Sequence, residues 1–164
     1  MVQMKFVEHV KELDSEVFSD FPGELGIFAS HYENKVVVQI RYNGEMDSTY
    51  ELKSKGLGNQ EQEMALDFGN EGGEFADDYA PVRDPLSHYD VITKLGDSND
   101  MKIPIICTQI AQLYDRVIIP RLGGQQGLPS DYVITLSTKL WRKSEVKSFE
   151  KLIFLLEAIK EAYE

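Results

Sequence analysis

Residues 36–53 read VVVQIRYNGEMDSTYELK, and apolar and polar side chains alternate in this stretch on both sides of a turn signal. Val36, Val38 and Ile40 recur at every second position, which is the period of a half-buried β-strand. Asn43-Gly44 follows, and both residues tolerate the positive φ of a tight type I′ turn. The stretch therefore predicts two strands joined by a hairpin.

The alternating pattern extends in both directions along the chain. Residues 25–29 alternate in the same way before the hairpin, and Tyr50 and Leu52 occupy one side of the run after it. A longer alternating run, Tyr132 to Trp141, comes much later. We therefore expect an antiparallel sheet made of a three-stranded meander plus one later strand.

Three further segments carry apolar residues at steps of three and four, the spacing of an amphipathic helix. The N-terminal stripe is Phe6, Val10, Leu13 and Val17; the central one is Ile103, Ile106, Ile110, Leu113 and Val117; the C-terminal one is Phe149, Leu152, Leu156, Ile159 and Tyr163. Pro120 is expected to end the central helix. With 164 residues, 42% of them hydrophobic, the chain predicts one α+β domain over 1–164, in which N-terminal, central and C-terminal helices pack on the sheet.

An acidic insert, about residues 57–100, separates the meander from the central helix. Residues 61–100 hold eleven acidic and two basic side chains, a local charge of −9 in a chain whose total is −11. Its many Gly and Pro residues indicate a partly ordered connection with short elements. Asp84-Pro85 has the form of an N-cap and first-turn proline, which predicts a short helix that runs to Leu95.

This concentration of charge restricts the kinds of partner. A pI near 4.7 disfavours direct binding of nucleic acid or of an anionic membrane, because both attract clustered Lys and Arg. It allows cations, basic proteins, or the basic groove of a nucleic-acid enzyme. Cys107 is the single cysteine, which excludes a Cys-based zinc site and suits a reducing cytoplasm. Met1 to Phe18 also lacks the pattern of a secretory leader.

The most specific metal candidate is a run within the acidic insert. From Asp67 to Asp78 the sequence can be aligned with a calcium loop. Gly69, however, stands where a ligand is needed, and the final aspartate reaches less far than the usual bidentate glutamate. A solvated acidic loop therefore explains these residues better than a metal site.

Two lone side chains, His88 and Cys107, come into consideration for a chemical role. His88 has carboxylates close in sequence, which makes it a general-base candidate, although an N-cap aspartate followed by a histidine on a helix surface explains the same residues more simply. Cys107 lies within the apolar stripe of the central helix, so we expect an inert core thiol.

The sequence therefore predicts a small acidic, non-enzymatic binding or inhibitor protein that needs no cofactor and no metal. Immunity proteins that block a nuclease, and phage proteins that occupy a nucleic-acid groove, share its size and charge. The predicted partner is a basic protein, such as the groove of a nucleic-acid enzyme. The predicted contacts are acidic side chains of the insert and two aromatic anchors between them: Glu71, Glu74, Phe75, Asp77, Asp78, Tyr79 and Asp84.

Several alternatives stay open on the sequence alone. The same carboxylates could serve a divalent-metal-binding domain or a small hydrolase, or they could simply aid solubility. A basic stretch near the C-terminus contains Lys139, Arg142, Lys143, Lys147 and Lys151. This stretch could fold under the acidic insert, or it could pair with the insert of a second copy and so form a homodimer.

Overall fold

A six-stranded mixed sheet is the centre of the molecule. The computed structural model describes residues 5–19, 21–54, 89–122, 131–142 and 147–164. Within these ranges the elements are β1 (Lys5–Glu12), β2 (Glu24–His31), β3 (Lys35–Tyr42), β4 (Ser48–Ser54), β5 (Tyr89–Leu95), α1 (Lys102–Leu113), β6 (Asp131–Leu136) and α2 (Ser148–Glu161). The strand order is β1-β2-β3-β6-β4-β5, in which β3 and β6 are parallel and the other neighbours are antiparallel. The predicted fold class, an antiparallel meander packed by three helices, is therefore wrong.

The turn at Asn43-Gly44 forms, but the two strands beside it do not pair with each other. Asn43 has a φ of 50° and Gly44 a φ of 83°. After the turn, the amide of Asp47 donates to the carbonyl of Leu136 at 3.1 Å, so the chain passes the end of β6 before β4 begins. Only the antiparallel pairing of β2 with β3 is confirmed. A tight turn reverses the chain locally, but it does not decide which strand fills the neighbouring position in the sheet.

The N-terminal segment is an edge strand, so the predicted helix is wrong. Phe6 and Val10 belong to the predicted buried stripe, yet they are 60% and 48% exposed. The inward side chains include His9 and Lys11, which lie 3.2 and 2.9 Å from the carboxylate of Glu161 in α2. A segment of eight residues is short enough to match both the helical and the strand period. The antiparallel pairing with β2 over the whole length of β1 stabilises the strand.

The helix predicted from Asp84 to Leu95 is also wrong where the structure describes it. Residues 89–95 form β5, an edge strand that pairs with β4. Tyr89 is 5% exposed, and Val91 lies opposite Leu52. The backbone of residues 89–95 therefore makes hydrogen bonds to β4 and not within a helix. The predicted helix start, Asp84-Pro85, lies outside the described residues.

The central helix is confirmed, and a π-helical turn, Tyr114–Ile118, follows α1. Tyr114 and Ile118, which the sequence places beside the predicted stripe, are 0% and 2% exposed. Leu113 and Val117 of the stripe itself are only partly buried. The most deeply buried positions therefore lie at one side of the predicted stripe near its C-terminal end.

Two elements end at positions other than those predicted. A last helical turn, Ile119–Arg121, carries the central segment one residue past Pro120, although proline lacks the N–H that would continue the helical hydrogen bonds. Strand β6 ends at Leu136, and Lys139–Trp141 form a 3₁₀ turn instead of continuing the strand.

Both helices pack on the same face of the sheet. Helix α1 contacts β4 and β5, α2 contacts β1, and the two helices contact each other. The core between them contains the buried side chains Leu25, Ile27, Ala29, Val36, Val38, Ile40, Tyr50, Leu52, Ile103, Ile106, Cys107, Ile110, Tyr132, Ile134 and Leu136. Cys107 is confirmed as a core residue, and burial raises the pKa of its thiol.

The C-terminal helix is confirmed, and a buried lysine joins its first turn to neighbouring segments. Lys151 is 4% exposed, and its Nζ donates to the carbonyl of Leu140 at 2.8 Å. The same Nζ lies 5.0 Å from the ring centre of Phe21 and 5.8 Å from that of Phe18. The ammonium therefore has an acceptor and two aromatic faces that favour a cation.

Substitution of Lys151 tests this anchor. Lys151→Ala is expected to lower the free energy of unfolding by about 2–3 kcal/mol, because it removes a buried stem and the donor to Leu140. Lys151→Met keeps an apolar stem and is expected to cost only about 1 kcal/mol. Urea unfolding followed by tryptophan fluorescence measures both values. If the methionine variant proved the less stable of the two, the anchor would be contradicted.

Candidate interaction surface

The face of the sheet opposite the helices is a broad surface that no described helix covers. We call this surface the open face. It is defined by the residues that alternate with the core positions: Phe6, Glu8, Val10, Gly26, Phe28, Ser30, Val37, Gln39, Arg41, Thr49, Glu51, Ile92, Val133 and Thr135. Phe6 and Val10 of the edge strand β1 are 60% and 48% exposed, and Ile92 of the opposite edge strand β5 is 39% exposed, so exposed apolar side chains lie at both edges of this face.

An aromatic ring of β2 and an arginine near the end of β3 lie side by side on the open face. A side chain at Gly26 would bring its Cβ within 2.8 Å of Cε2 of Phe28, so glycine is needed for the ring to lie across the strand. The guanidinium carbon of Arg41 lies 4.5 Å from the centre of that ring. Arg41 Nη2 also donates to Oε1 of Gln39 at 2.7 Å. Three strand positions therefore hold one arginine in a defined orientation.

The part of the open face on β4, β5 and β6 has its own polar contacts. The hydroxyl oxygens of Thr49 and Thr135 are 3.0 Å apart. Glu51 lies 3.3 Å from Lys94 and 3.7 Å from Lys53. Apolar residues thus alternate with polar groups that already have partners, a mixture typical of protein–protein interfaces.

The basic stretch near the C-terminus binds a neighbouring loop. Lys139 Nζ lies 2.6 Å from the Glu45 carboxylate, and Arg142 Nη2 lies 3.2 Å from that of Asp47. These cations therefore neutralise the loop between β3 and β4. Lys143 and residues 57–88 lie outside the described residues, so the predicted pairing of this stretch with the acidic insert stays a prediction.

A partly buried carboxylate connects the π-turn to two strands. The hydroxyls of Tyr89 and Tyr132 donate to different oxygens of Asp115. The two tyrosines are 5% and 0% exposed, so the carboxylate is the acceptor for two groups that have little access to water. Desolvation raises the pKa of Asp115, although the hydrogen bonds from the two tyrosines and the charge of Arg116 oppose the rise.

A second polar chain lies beside the first one. His31 Nε2 is 2.6 Å from the hydroxyl of Tyr163, which is 2.8 Å from the hydroxyl of Tyr114. Burial raises the pKa of both tyrosines, so both stay neutral at physiological pH. These contacts join the end of β2, the π-turn and the end of α2. The two hydrogen-bond networks therefore hold elements together, whereas none of the described helices lies on the open face.

Comparison with known proteins identifies the family. The model of the 20S proteasome chaperone assembly proteins 3 and 4 matches residues 1–160. The chain belongs to this family.

A curated relative and a solved structure agree with the assignment to this chaperone family. The chain is 42% identical to Proteasome chaperone 3 of Saccharomyces cerevisiae, over an alignment of 177 residues that covers 99% of each protein. It also resembles a chain in the crystal structure of a novel chaperone complex for yeast 20S proteasome assembly. That match has a TM-score of 0.67 and 39% identity, and it covers 98% of this chain and 99% of that one.

Membership of the chaperone family corrects the predicted function. An immunity-type or phage-type inhibitor is wrong, and so is a partner chosen from nucleases and other nucleic-acid enzymes, because the full-length match is to proteasome assembly chaperones. The acidic pI led to that error, since charge alone does not distinguish a nucleic-acid mimic from other acidic proteins. No helix in the described ranges of this family member is long and apolar enough to span a bilayer.

The structure does not describe the residues that were predicted to bind a partner. Glu71, Glu74, Phe75, Asp77, Asp78, Tyr79 and Asp84 all lie outside the described residues, as do the calcium-loop candidate and His88. Their role in this chaperone stays a prediction. Among the residues that are described, no group of three or more His, Cys, Asp or Glu side chains could hold a metal ion.

Sequence reasoning missed both the open face and the Asp115 network. The polar members of β3, Gln39 and Arg41, signalled one solvent-facing side, but nothing local showed that the same side continues over six strands. Asp115 was visible as a charged residue beside the apolar stripe of the central helix. Its two tyrosine donors come from distant strands, so only the tertiary structure reveals the carboxylate as a shared acceptor.

Proposed function

We propose that this protein is one subunit of a chaperone complex for assembly of the 20S proteasome, and that its open face packs against a second chain of the same family. The observation that carries the proposal is a sheet with helices on one face only and exposed Phe6 and Val10 on the other. The comparisons support it, because the matching family is that of assembly proteins 3 and 4 and the similar crystal structure is that of a chaperone complex.

The shape of the open face fits a partner that is itself a sheet. Two sheets can pack face to face about 10 Å apart, with their inward side chains interdigitated. Val37 and Val133 lie opposite each other on the parallel strands β3 and β6, with Phe28 on the next strand. Covering these side chains would remove apolar surface from water, which is the main favourable contribution to association.

A charge placed in the middle of the open face tests the proposal. Val37→Glu is expected to weaken binding to assembly protein 4 of the same organism by about 100-fold or more, because a carboxylate would be buried without a partner. The purified chains are mixed, and the dissociation constant is measured by calorimetry. The melting temperature of the free variant is expected to stay close to that of the wild type, since Val37 is not a core residue.

Phe149→Glu is the matched control on the helical side of the molecule. Phe149 is 69% exposed on α2, so the same type of substitution is expected to leave the affinity for assembly protein 4 unchanged. In S. cerevisiae cells that lack Proteasome chaperone 3, the wild-type chain is expected to restore assembled 20S particles, and Val37→Glu is not. Normal binding by Val37→Glu, or no complex with the wild-type chain, would overturn the proposal.

We infer that the protein works by binding and not by catalysis, because the matched family is one of assembly chaperones. A cytoplasmic location belongs to the same proposal and agrees with a single cysteine that is buried in the core. The proposed contact of the acidic insert with a protein partner rests on its local charge alone. That contact can be tested in the same assay by charge reversal of Glu74, Asp77 and Asp78.

A further inference from the structure

Strand β5 is attached to the rest of the molecule at few points. It lies at one edge of the described sheet and pairs with β4 on one side. Its first residue, Tyr89, is buried, whereas residues 90–95 are partly or largely exposed. The strand therefore places one side chain in the core, and backbone pairing with β4 is its main remaining attachment.

Two irregularities lie at the far end of the same strand. The register of its pairing shifts between Thr49 and Tyr50 of β4. Gly96, which follows β5, has a φ of 117°, and a Cβ at this position would lie 2.6 Å from Oγ of Ser48. Because glycine has no side chain to restrict it, the backbone can change direction there. The other edge strand, β1, pairs with β2 over its whole length without a shift, and Glu161 contacts two of its inward side chains.

The hydroxyl of Tyr89 attaches β5 to a carboxylate that is also held by the centre of the sheet. Tyr89 and Tyr132 donate to different oxygens of Asp115. Tyr132 belongs to β6, which pairs with β3 on one side and β4 on the other. Asp115 therefore keeps its bond from Tyr132 when β5 moves away, and the bond from Tyr89 is the one that breaks.

We propose that β5 is a detachable edge strand. It separates from β4 while the other strands stay folded, and the hydrogen bond from Tyr89 to Asp115 determines how often it does so. Such local opening is typical of segments that bury few apolar side chains. When β5 detaches, Ile92 leaves the open face and the outer edge of β4 loses its pairing. The state of β5 therefore determines how far the open face extends, and a ligand that covers Ile92 favours the attached state.

Hydrogen exchange of the backbone amides of β5 tests the proposal in the free, full-length chain, with the amides of β6 as the internal reference. In the wild type, the amides of β5 that bond to β4 are expected to exchange at least about 100-fold faster than those of β6. Their exchange is expected to change little at low urea concentrations, because detachment exposes little surface. Tyr89→Phe is expected to accelerate exchange in β5 by about tenfold or more, since detachment then no longer breaks the bond to Asp115.

Tyr132→Phe is the matched control, because it removes the other hydroxyl from the same carboxylate. The bond from Tyr132 is present whether β5 is attached or detached, so exchange in β5 is expected to stay within about threefold of the wild type. Exchange in β6 is expected to accelerate in both variants, since global unfolding breaks both bonds.

Gly96→Ala supplies a second test at the other end of the strand. Alanine is strained at a φ of 117°, and its Cβ would approach Ser48. A detached strand can relax this strain and an attached one cannot, so exchange in β5 is expected to accelerate by about fivefold or more.

Either of two results would overturn the proposal. If the amides of β5 exchange as slowly as those of β6 in the wild type, β5 opens only when the whole molecule unfolds. If Tyr89→Phe and Tyr132→Phe accelerate exchange in β5 equally, the bond from Tyr89 does not control the detachment.

Discussion

Asp115→Ala is expected to lower the free energy of unfolding by about 3 kcal/mol or more, because two tyrosine hydroxyls lose their acceptor inside the protein. Tyr132 is fully buried and Tyr89 nearly so, which leaves their hydroxyls little access to water as a replacement. Equilibrium unfolding in urea at neutral pH measures the loss. Glu157→Ala, which removes an exposed carboxylate from α2, is the control and is expected to change stability by less than about 0.5 kcal/mol.

The same carboxylate predicts a dependence of stability on pH. Burial raises the pKa of Asp115 in the folded protein, whereas an aspartate in an unfolded chain titrates near 3.9. Between these two values the folded state holds a proton that the unfolded state has released, so stability falls as pH rises through this window. Asp115→Asn cannot ionise. The wild type is therefore expected to lose stability relative to Asp115→Asn as pH rises above about 4, with no further change above the raised pKa.

Two results would contradict this account of Asp115. Asp115→Ala with wild-type stability would show that the tyrosines do not depend on the carboxylate. A wild-type protein that gains stability relative to Asp115→Asn as pH rises from 4 would show that the folded pKa is lowered, so that the hydrogen bonds outweigh desolvation.

Ile134→Ala is expected to cost about 3 kcal/mol of folding free energy, by loss of buried area and by the cavity that remains. Ile134 is 0% exposed on β6, between Val38 of β3 and Tyr50 of β4. Because these neighbours are fixed on two different strands, they cannot both shift to fill the cavity that the alanine would leave. Chemical denaturation with a constant m-value measures the cost.

Val133→Ala is the control for the Ile134 prediction, since Val133 is the preceding residue of the same strand and lies on the open face. In the free chain it is expected to cost less than about 1 kcal/mol, because water already reaches its side chain. Equal losses for the two variants would contradict the assignment of a covered and an open face. The two variants also test the proposed function. Val133→Ala is expected to reduce the free energy of partner binding by more than the free energy of folding, and Ile134→Ala is expected to do the opposite.

The sequence predicted the helices α1 and α2 well because each carries an apolar stripe over at least three turns. Ile103, Ile106 and Ile110 repeat at helical spacing and are buried as expected. Strands β2, β3 and β4 were equally recognisable, since alternation in them is regular and a glycine-containing turn separates two of them. Long regular patterns admit one period only, so local sequence was sufficient there.

Local sequence was not sufficient for β1 and β5, which were both predicted as helices. Each has seven or eight residues, and in so short a run a few apolar side chains fit either period. Both are edge strands whose hydrogen bonds go to residues distant in sequence, β1 to β2 and β5 to β4. Those long-range bonds, and not local propensity, determined the outcome.

The sequence by itself determined the alternation of the central strands, the positive-φ turn at Asn43-Gly44, the two long helices and the acidic charge of the chain. Only the tertiary structure decided that β6 lies between β3 and β4, and that all six strands share one open face. The physical reason is that a strand is completed by hydrogen bonds to its neighbours, and its neighbours are chosen by the packing of the whole core. Arg41 illustrates the difference: the sequence shows a polar position, and the sheet places it on a surface that six strands share.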